Sequence, residues 1–426
     1  MNKRVVITGT GMVTPLGNSS QATWEGLLAG KSGIDYIKNF DLSGFRTRIG
    51  GEIKEFTSEH LQQKYAIDGI IERVPEYGHL LSAADEAIKD AAIPRGGDEL
   101  LCLGSGKTNE LPFVERAQLF KQYTGYSGRE VNSLVQQLHS SFHDFLHLEQ
   151  ENNRPAFFLN RLLGLSSVPK DINVACATGA QVVAAGYDLI MAGRASRVIC
   201  CTVQPLNVWG HIEFYLLDAL GDYDGSPSRA SRPFDKIRNG LVIAEGSAAV
   251  ILEDMECAQQ RKAPNIYAEI AGYGITTDAY RLTDPHPEGV HSAEAMRIAI
   301  KNSGIKPDDI EYINAHGTST VENDRLETKA IKSVLGEKSY DVLINSTKSM
   351  TGHMLITAGL AETIVTALSL YEGKLHPTIN LDEPDDECDL NYLAGSQSVK
   401  VPIQTAMTNS FGFGGHNISL VLNKVV

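Results

Sequence analysis

A cysteine stands where a predicted strand gives way to a predicted helix. The segment Val174-Ala175-Cys176-Ala177-Thr178-Gly179 follows an extended run that ends near Ala175 and precedes a stretch typical of a buried helix. A thiol at such a junction lies beside the unpaired N–H groups and the positive dipole end of the helix, which favour the thiolate over the thiol. Cys176 is therefore a candidate nucleophile. A small buried core residue is the alternative interpretation of this stretch.

Three further stretches carry polar groups close to predicted strand ends. They are Asn314-Ala315-His316-Gly317-Thr318-Ser319-Thr320, Ser346-Thr347-Lys348-Ser349-Met350-Thr351-Gly352-His353 and Asn409-Ser410-Phe411-Gly412-Phe413-Gly414-Gly415-His416-Asn417. Sites in open α/β sheets form at the ends of strands. Either histidine alone could be structural. The glycine-rich stretch could be a simple turn, or could direct backbone N–H groups at a developing oxyanion.

Strand-like and helix-like patterns alternate along most of the chain, which favours a layered α/β architecture with buried sheets. The predicted strands are 5–9, 100–104, 197–203, 241–253, 266–274, 312–315, 342–346, 405–409 and 418–422. The predicted helices are 21–29, 78–92, 129–149, 178–192, 292–303, 322–335 and 352–371. The neighbouring Cys200 and Cys201 are interpreted as strand packing.

The length of 426 residues predicts two halves, because a single core seldom grows to that size. The polar segment after residue 255 is the best boundary, giving halves 1–255 and 256–426, and the stretch 106–170 is predicted to be a cap insertion in the first half. Two pairs of small residues hint at duplication, since Thr178-Gly179 and Ala185-Gly186 match Thr351-Gly352 and Ala358-Gly359 at a constant offset.

Composition excludes several classes of protein. The net charge of −14 gives no general attraction for nucleic acid or for anionic membranes. No apolar run approaches the ~18 residues of a membrane span. The six cysteines show no paired spacing, so we expect neither a disulfide framework nor a metal site, and a cytoplasmic location.

Taken together, the segment around Cys176 and the three polar stretches closely resemble the β-ketoacyl-[acyl carrier protein] synthases of the thiolase superfamily. The resemblance is strongest to the synthase I/II type with a Cys-His-His site. Further matches are Gly9-Thr10-Gly11-Met12-Val13-Thr14-Pro15-Leu16-Gly17, Ser231-Arg232-Pro233-Phe234-Asp235, Ala244-Glu245-Gly246 and Asp278-Ala279-Tyr280. The resemblance covers nearly the whole chain. It implies a duplicated thiolase-like fold with α-β-α-β-α layers.

The resemblance also implies an activity, the decarboxylative Claisen condensation of fatty acid or polyketide-type synthesis. Cys176 would take an acyl group from the phosphopantetheine arm of an acyl carrier protein. His316 and His353 would stabilise the enolate left when malonyl-carrier protein loses carbon dioxide. The backbone N–H groups of Cys176 and Phe413 would hold the oxyanion of the condensation step.

Other residues receive roles from the same resemblance. Lys348 and Glu245 would form a buried ion pair beside the histidines, and Thr318 and Thr320 would grip the pantetheine arm. Phe411, Phe413 and Gly414 would belong to a gate. The enzyme would need no cofactor of its own, because the carrier protein, in its acyl and malonyl forms, brings the phosphopantetheine.

The sequence departs from the family pattern at several places. His416 stands where threonine is usual, and Asn207-Val208-Trp209-Gly210-His211-Ile212 is bulkier than the segment common there, so acyl preference is open. The basic patch expected for docking a carrier protein is faint, with Arg46, Arg48, Lys121 and Arg129 as candidates. The dimer could be with itself or with a related subunit.

A non-catalytic, chain-length-factor-like subunit of a ketosynthase heterodimer is the alternative function. Such subunits typically lack the nucleophilic cysteine, which this chain has at Cys176. A thiolase would want a second cysteine in the 409–417 loop, and that loop contains none.

Overall fold

The structure is a computed structural model that describes residues 3–67, 71, 74–97, 99–106, 154–223, 225–281 and 283–425. The strands are β1 (Val5–Val13), β2 (Asp35–Tyr36), β3 (Ile49–Gly50), β4 (Leu100–Ser105), β5 (Lys170–Asp171), β6 (Arg197–Gln204), β7 (Gly246–Asp254), β8 (Ala268–Thr277), β9 (Tyr312–Asn314), β10 (Leu343–Asn345), β11 (Lys374–Leu375), β12 (Val399–Lys400), β13 (Thr405–Gly412) and β14 (His416–Asn423). The helices are α1 (Ser20–Leu28), α2 (Glu59–Tyr65), α3 (Pro75–Asp90), α4 (Arg154–Leu163), α5 (Thr178–Met191), α6 (Val208–Leu216), α7 (Met255–Gln260), α8 (Val290–Asn302), α9 (Val321–Leu335), α10 (Lys348–Thr351) and α11 (Ala358–Glu372).

Within the described residues, ten strands form one sheet in the order β10-β9-β13-β14-β8-β1-β7-β6-β4-β5. Its two five-strand halves are joined where Val5–Ile7 of β1 pairs antiparallel with Ala268–Ile270 of β8. In each half, the three strands farthest from this junction are parallel to one another. There β4 runs parallel to β5 and β6, and β9 runs parallel to β10 and β13.

Helices cover both faces of the two half-sheets. Helices α5 and α11 pack against each other and against strands of both halves, so they form a central layer. Helix α3 covers the outer face of β1, β6 and β7, and α8 covers the outer face of β8 and β14. The order of layers is therefore helix, sheet, helix, sheet, helix, as the family resemblance implies.

Strand β6 shows how its residues divide between these layers. Cys200 belongs to the central apolar cluster, and its Sγ lies 3.4 Å from the carbonyl oxygen of Val182 in α5. Cys201 faces the other way, into the cluster beneath α3. Successive side chains of a strand point to opposite faces. The interpretation of the two neighbouring cysteines as strand packing is confirmed.

The central helices cross at two glycines. A Cβ atom added to Gly179 would lie 2.3 Å from the backbone nitrogen of Leu360, and one added to Gly359 would lie 2.7 Å from that of Ala180. Gly179 therefore faces Gly359, whereas the repeat noted in the sequence aligned it with Gly352. That alignment is wrong at the helices, because additional turns separate β10 from α11.

The predicted helix over 352–371 also begins too early. Gly352 adopts φ 72° and ψ −178°, a conformation that ends α10, and a short 3₁₀ turn at Leu355–Thr357 precedes α11. Residues 352–357 are therefore not α-helical. This interruption leaves His353 in a loop between α10 and α11.

The predicted insertion at 106–170 is only partly described. The predicted helix at 129–149 lies outside the described residues. At the far end of the stretch, α4 packs on α3 and β4, and Lys170 begins β5 of the main sheet. Residues 154–170 therefore belong to the layered fold rather than to an appended cap. The division into halves at residue 255 stays a prediction.

One described segment, Leu355–Glu372, is long and apolar enough to cross a membrane by length and composition alone. It is 89% buried within the fold. We therefore assign it to the protein core, where it forms most of the central layer with α5.

Candidate active site

Cys176 lies in a tight turn between β5 and α5. Ala175 has φ 51°, a left-handed conformation, and the Thr178 hydroxyl accepts from Val174 N–H at 2.8 Å and donates to the Ala175 carbonyl at 2.7 Å. These bonds fix the turn that presents the thiol. The preceding strand ends at Asp171 rather than near Ala175.

The sequence predicted surroundings that favour the thiolate of Cys176, whereas the structure places this residue in surroundings that favour the thiol. Burial raises the pKa of the Cys176 thiol to about 11, although the positive charge of Lys348 and two backbone N–H groups act in the opposite direction. Those N–H groups belong to Phe413 and Cys176 itself, and both point toward the sulfur. The thiol, not the thiolate, is therefore the resting form at neutral pH.

The two histidines come from loops that follow neighbouring parallel strands. His316 follows β9 and His353 follows β10, and their ring centroids lie 5.3 Å apart in an edge-on arrangement. Both side chains are buried. Burial, with a further contribution from the Lys348 charge, holds the pKa of both imidazoles well below the ordinary value. Both rings are therefore neutral at physiological pH.

Lys348 fixes the tautomer of His316. Its Nζ lies 3.3 Å from His316 Nδ1. An ammonium group has only donors, so Nδ1 must accept and the ring proton must sit on Nε2. His316 can therefore donate a hydrogen bond from Nε2.

The ion pair of Lys348 is made with a residue other than the one predicted. Its Nζ contacts the carboxylate of Glu362 in α11, and both side chains are fully buried. Glu245 lies elsewhere, where its Oε1 accepts from Ile53 N–H at 2.8 Å. Burial raises the pKa of each of these two carboxyl groups to about 7. The predicted Lys348–Glu245 pair is wrong, because Glu362 occupies the position beside the lysine.

Glu327 in α9 is a second residue that the sequence did not indicate. Its two carboxylate oxygens accept from the backbone N–H groups of His316 and Gly317, each at 2.9 Å. Asn409 donates to the same carboxylate at 3.1 Å. Burial raises the pKa of Glu327, and these donors oppose the shift. The carboxylate thereby fixes the His316 loop to α9 and to β13.

The glycine-rich stretch folds as the tight connection between β13 and β14. Gly412 pairs with His416 across the hairpin, and a Cβ atom added to Gly412 would lie 3.1 Å from the backbone nitrogen of Cys176. The absence of a side chain brings this loop against the cysteine turn. Phe413 stacks on Phe214 of α6, with ring centroids 5.8 Å apart.

A cavity of about 300 Å³ brings most of the predicted residues together. Its lining includes Cys176, His316, His353, Thr318, Thr320, Phe411 and Phe413. The hydroxyls of Thr318 and Thr320 are 2.9 Å apart. Gly414 and Lys348 do not line the cavity; Gly414 lies in the adjoining loop, and Lys348 lies behind His316. No group of side chains suited to a metal ion occurs in the described ranges.

Models of two protein families match the chain. "Beta-ketoacyl synthase, N-terminal domain" matches residues 2–258, and "Beta-ketoacyl synthase, C-terminal domain" matches residues 267–382. The chain is 39% identical to 3-oxoacyl-[acyl-carrier-protein] synthase 2 of Synechocystis sp., over 99% of this chain and 98% of the relative. It is 36% identical to the protein of the same name from Coxiella burnetii, over 99% of both chains.

Solved structures agree with these matches. A ketosynthase in complex with its type II polyketide acyl-carrier protein and a hexaketide superposes with a TM-score of 0.87 at 31% identity, over 100% of both chains. The ishigamide ketosynthase/chain length factor superposes with a TM-score of 0.86 at 27% identity, also over 100% of both chains. The predicted thiolase-like ketosynthase fold is confirmed, and this chain belongs to the β-ketoacyl synthase family.

Proposed function

We propose that this β-ketoacyl synthase condenses an acyl group held on Cys176 with the two-carbon unit of a malonyl thioester, releasing carbon dioxide. One observation carries the proposal: a thiol, two neutral imidazoles and two backbone N–H groups meet at a single cavity. That set supplies a nucleophile, donors for an enolate and donors for an oxyanion.

In the first step, the sulfur of Cys176 attacks the carbonyl carbon of an acyl thioester. A new carbon–sulfur bond forms, the bond to the pantetheine sulfur breaks, and the thiol proton of Cys176 ends on the departing pantetheine. The N–H groups of Cys176 and Phe413 are directed at the sulfur before the reaction. They are therefore close to the carbon that bonds to this sulfur, and can donate to the oxyanion that forms on its oxygen. The raised pKa of the thiol makes deprotonation part of the cost of this step.

In the second step, the malonyl thioester loses carbon dioxide and leaves an enolate. Neutral donors suit this intermediate, since they stabilise the enolate oxygen without protonating it fully. His316 offers Nε2–H because Lys348 occupies Nδ1, and His353 lies beside it. The enolate carbon then attacks the acyl carbonyl, and the Cys176 thiolate leaves and takes up a proton.

The substrate, assembly and location belong to the same proposal. An acyl carrier protein would deliver the acyl and malonyl groups on its phosphopantetheine arm, with Thr318 and Thr320 along the entry path. The chain would act as a dimer, with itself or with a related subunit, in fatty acid or polyketide-type synthesis. The free cysteines suit a cytoplasmic enzyme. The presence of Cys176 in the cavity disfavours a purely pocket-shaping subunit.

The test follows carbon dioxide and the 3-oxoacyl product with acyl- and malonyl-loaded carrier proteins as substrates. His316→Ala and His353→Ala should each slow malonyl decarboxylation by on the order of 10² or more, because each removes an enolate donor. Unchanged carbon dioxide release in both variants would remove the histidines from this step. Absence of any 3-oxoacyl product from the wild-type chain, across a panel of carriers and candidate neighbouring subunits, would contradict the proposed reaction.

A further inference from the structure

A second cavity, of about 150 Å³, shares no lining residue with the catalytic cavity. Its lining comes from β1, α1, α3, α11 and the residue that precedes β8. The lining residues are Thr10, Ser20, Gln21, Glu86, Asp90, Tyr267 and Leu368. Every one of them except Leu368 carries a hydroxyl, amide or carboxyl group. The cavity is therefore polar on most sides and apolar on one.

Two carboxylates from one face of α3 give this cavity a negative potential. Glu86 and Asp90 are one helical turn apart, and like charges at this spacing repel each other. Asp90 is also the last residue of α3, where the negative end of the helix dipole adds to the repulsion. Within the described residues, neither carboxylate pairs with a basic side chain, and the neighbouring Lys89 pairs with Asp85 at 2.9 Å. A cation in the cavity would relieve this repulsion.

The carboxylate of Glu86 keeps free acceptor positions. Its Oε1 accepts from Ser20 N–H at 2.8 Å, and its Oε2 accepts from Met12 N–H at 3.0 Å. A carboxylate has about four acceptor positions, so about two of them remain. Burial raises the pKa of Glu86 to about 7, and the charge of Asp90 acts in the same direction. The surroundings thus lack a positive charge that would hold this carboxyl group ionised.

The hydroxyl of Ser20 independently indicates a ligand. Ser20 is 7% exposed, and its Oγ is buried with no hydrogen-bond partner in the part of the chain that the structure describes. Buried hydroxyls seldom lack a partner, because losing water without gaining another hydrogen bond is unfavourable. The backbone N–H of the same residue contacts Glu86, so the hydroxyl and the carboxylate are neighbours in the cavity wall. One donor-rich group can therefore serve both.

The apolar side of the cavity suits a short hydrocarbon chain. The hydroxyl of Tyr267 donates to Asp90 at 2.9 Å, which leaves its ring as apolar surface. The ring of Tyr371 packs edge-on against it, with centroids 5.1 Å apart, and is 48% exposed. Leu368 lies one turn before Tyr371 on α11. Methylene groups pack on such surfaces, and aromatic rings also attract ammonium groups.

We propose that this cavity binds a small aliphatic amine in its ammonium form. The ammonium group donates to Glu86 and to Ser20 Oγ, and the methylene groups lie against Leu368 and the tyrosine rings. An ammonium group has three donors and no acceptor, which matches a site whose free polar groups are acceptors. A divalent metal ion would require more oxygen ligands than two carboxylates and a few hydroxyls readily supply. The site goes beyond the proposed condensation, because it uses no residue of the catalytic cavity.

The experiment measures binding of putrescine, 1,4-diaminobutane, to the full chain by isothermal titration calorimetry. At pH 8, above the pKa of about 7, Glu86 is mostly ionised, while the amine is still protonated. Wild-type protein should bind one putrescine with a Kd below about 1 mM. The uncharged 1-butanol should give no saturable binding, because it lacks the charge that the carboxylates select. Glu86→Gln should raise the putrescine Kd by about tenfold or more.

Ser20→Ala is the second variant, and it removes a hydroxyl that has no partner among the described residues, so it leaves the other contacts of the fold in place. It should raise the putrescine Kd by about threefold or more. Glu245→Gln is the matched control. That carboxyl group has the same raised pKa of about 7 and also accepts from a backbone N–H, but it does not line this cavity. Its putrescine Kd should equal that of wild-type protein.

Three results would overturn the proposal. The first is no saturable binding of putrescine up to about 20 mM. The second is a Kd that neither Glu86→Gln nor Ser20→Ala changes, with folding of both variants checked by circular dichroism. The third is displacement of putrescine by KCl at a concentration lower than that of the amine, which would assign the cavity to an inorganic cation. None of these results bears on acylation of Cys176, so the proposed function is tested separately.

Discussion

At the scale of the residue, burial controls the chemistry of the thiol and of the two imidazoles. It raises the pKa of Cys176 to about 11 and holds the pKa of His316 and His353 well below the ordinary value. In each case burial favours the neutral form. A neutral thiol is protected from adventitious alkylation, and neutral imidazoles can donate to an enolate.

The first prediction concerns the pH dependence of the reactivity of the Cys176 thiol. Because the pKa of Cys176 is about 11, its thiolate fraction should grow about tenfold per pH unit from pH 7 to 9. The rate of alkylation of Cys176 by iodoacetamide, followed by peptide mass spectrometry, should therefore rise steadily over this interval. A plateau below about pH 8 would show a thiolate already formed, and would contradict a thiol kept neutral by burial.

The second prediction concerns Glu362, the carboxylate that pairs with Lys348. Glu362→Gln removes the anion that pairs with Lys348, so the buried ammonium loses its compensation and its hold on His316 Nδ1 changes. Malonyl decarboxylation should fall by about tenfold or more. Glu245→Gln is the matched control, since that carboxylate has the same raised pKa of about 7 and contacts Ile53 instead.

The two variants distinguish the roles of the two carboxylates by the rate of malonyl decarboxylation, and not only by the stability of the protein. Decarboxylation by Glu245→Gln should stay within about threefold of wild type at a temperature where both variants remain folded, as judged by circular dichroism. A large loss in Glu245→Gln with none in Glu362→Gln would contradict the assigned ion pair.

The residues of the site were predictable from sequence to different degrees. Cys176, His316 and His353 stand in short motifs whose neighbours are distinctive. Glu362 was missed because its contact with Lys348 joins two separate elements. A signal for it does exist: it is the only charged residue between Ala358 and Tyr371, in a helix that is buried from Ala358 to Leu370, and a buried carboxylate requires a partner.

At the scale of the element, the crossing of α5 and α11 positions the cysteine turn. The helices approach closely enough that neither Gly179 nor Gly359 has room for a side chain. Cys176 lies two residues before α5, and the loop of His353 lies just before the turn that leads into α11. The same contact therefore fixes the distance between the nucleophile and one of its histidines.

Gly179→Ala tests this crossing. The added methyl group would lie 2.3 Å from a backbone nitrogen of α11, so the helices must separate. The free energy of unfolding, measured with denaturant, should fall by about 1–3 kcal/mol or more. Gly44→Ala serves as the control, because nothing lies within 4 Å of an added Cβ there. Equal stabilities for the two variants would show that the crossing is not tightly packed.

Most helices and strands followed from hydrophobic periodicity, with ends displaced by a few residues. Several short elements were not predicted, among them α2, α6 and α7. The start of a predicted helix was also misplaced before α11, where Met354, Leu355 and Ile356 are apolar. A periodic pattern cannot distinguish an α-helix from a 3₁₀ turn of similar composition. For this reason, the predicted helix wrongly included the loop that carries His353.

At the scale of the whole molecule, the site requires both halves of the sheet. Cys176 follows β5 at one end of the strand order, and His316 and His353 follow β9 and β10 at the other. The two half-sheets pack against α5 and α11, and this packing brings these distant strand ends to one cavity. The sequence predicted the alternation of elements and, through the resemblance, the layers. It could not predict the pairing of β1 with β8 that joins the halves, because that pairing depends on contacts between distant segments.

The most direct test of the central claim is to locate the acyl group. Wild-type protein and Cys176→Ala are each mixed with an acyl-loaded carrier protein, and the products are analysed by intact mass and peptide mapping. The account predicts one acyl adduct on wild-type protein, on the peptide that contains Cys176, and none on the variant. An adduct on Cys176→Ala, or on a different cysteine of the wild-type chain, would contradict it.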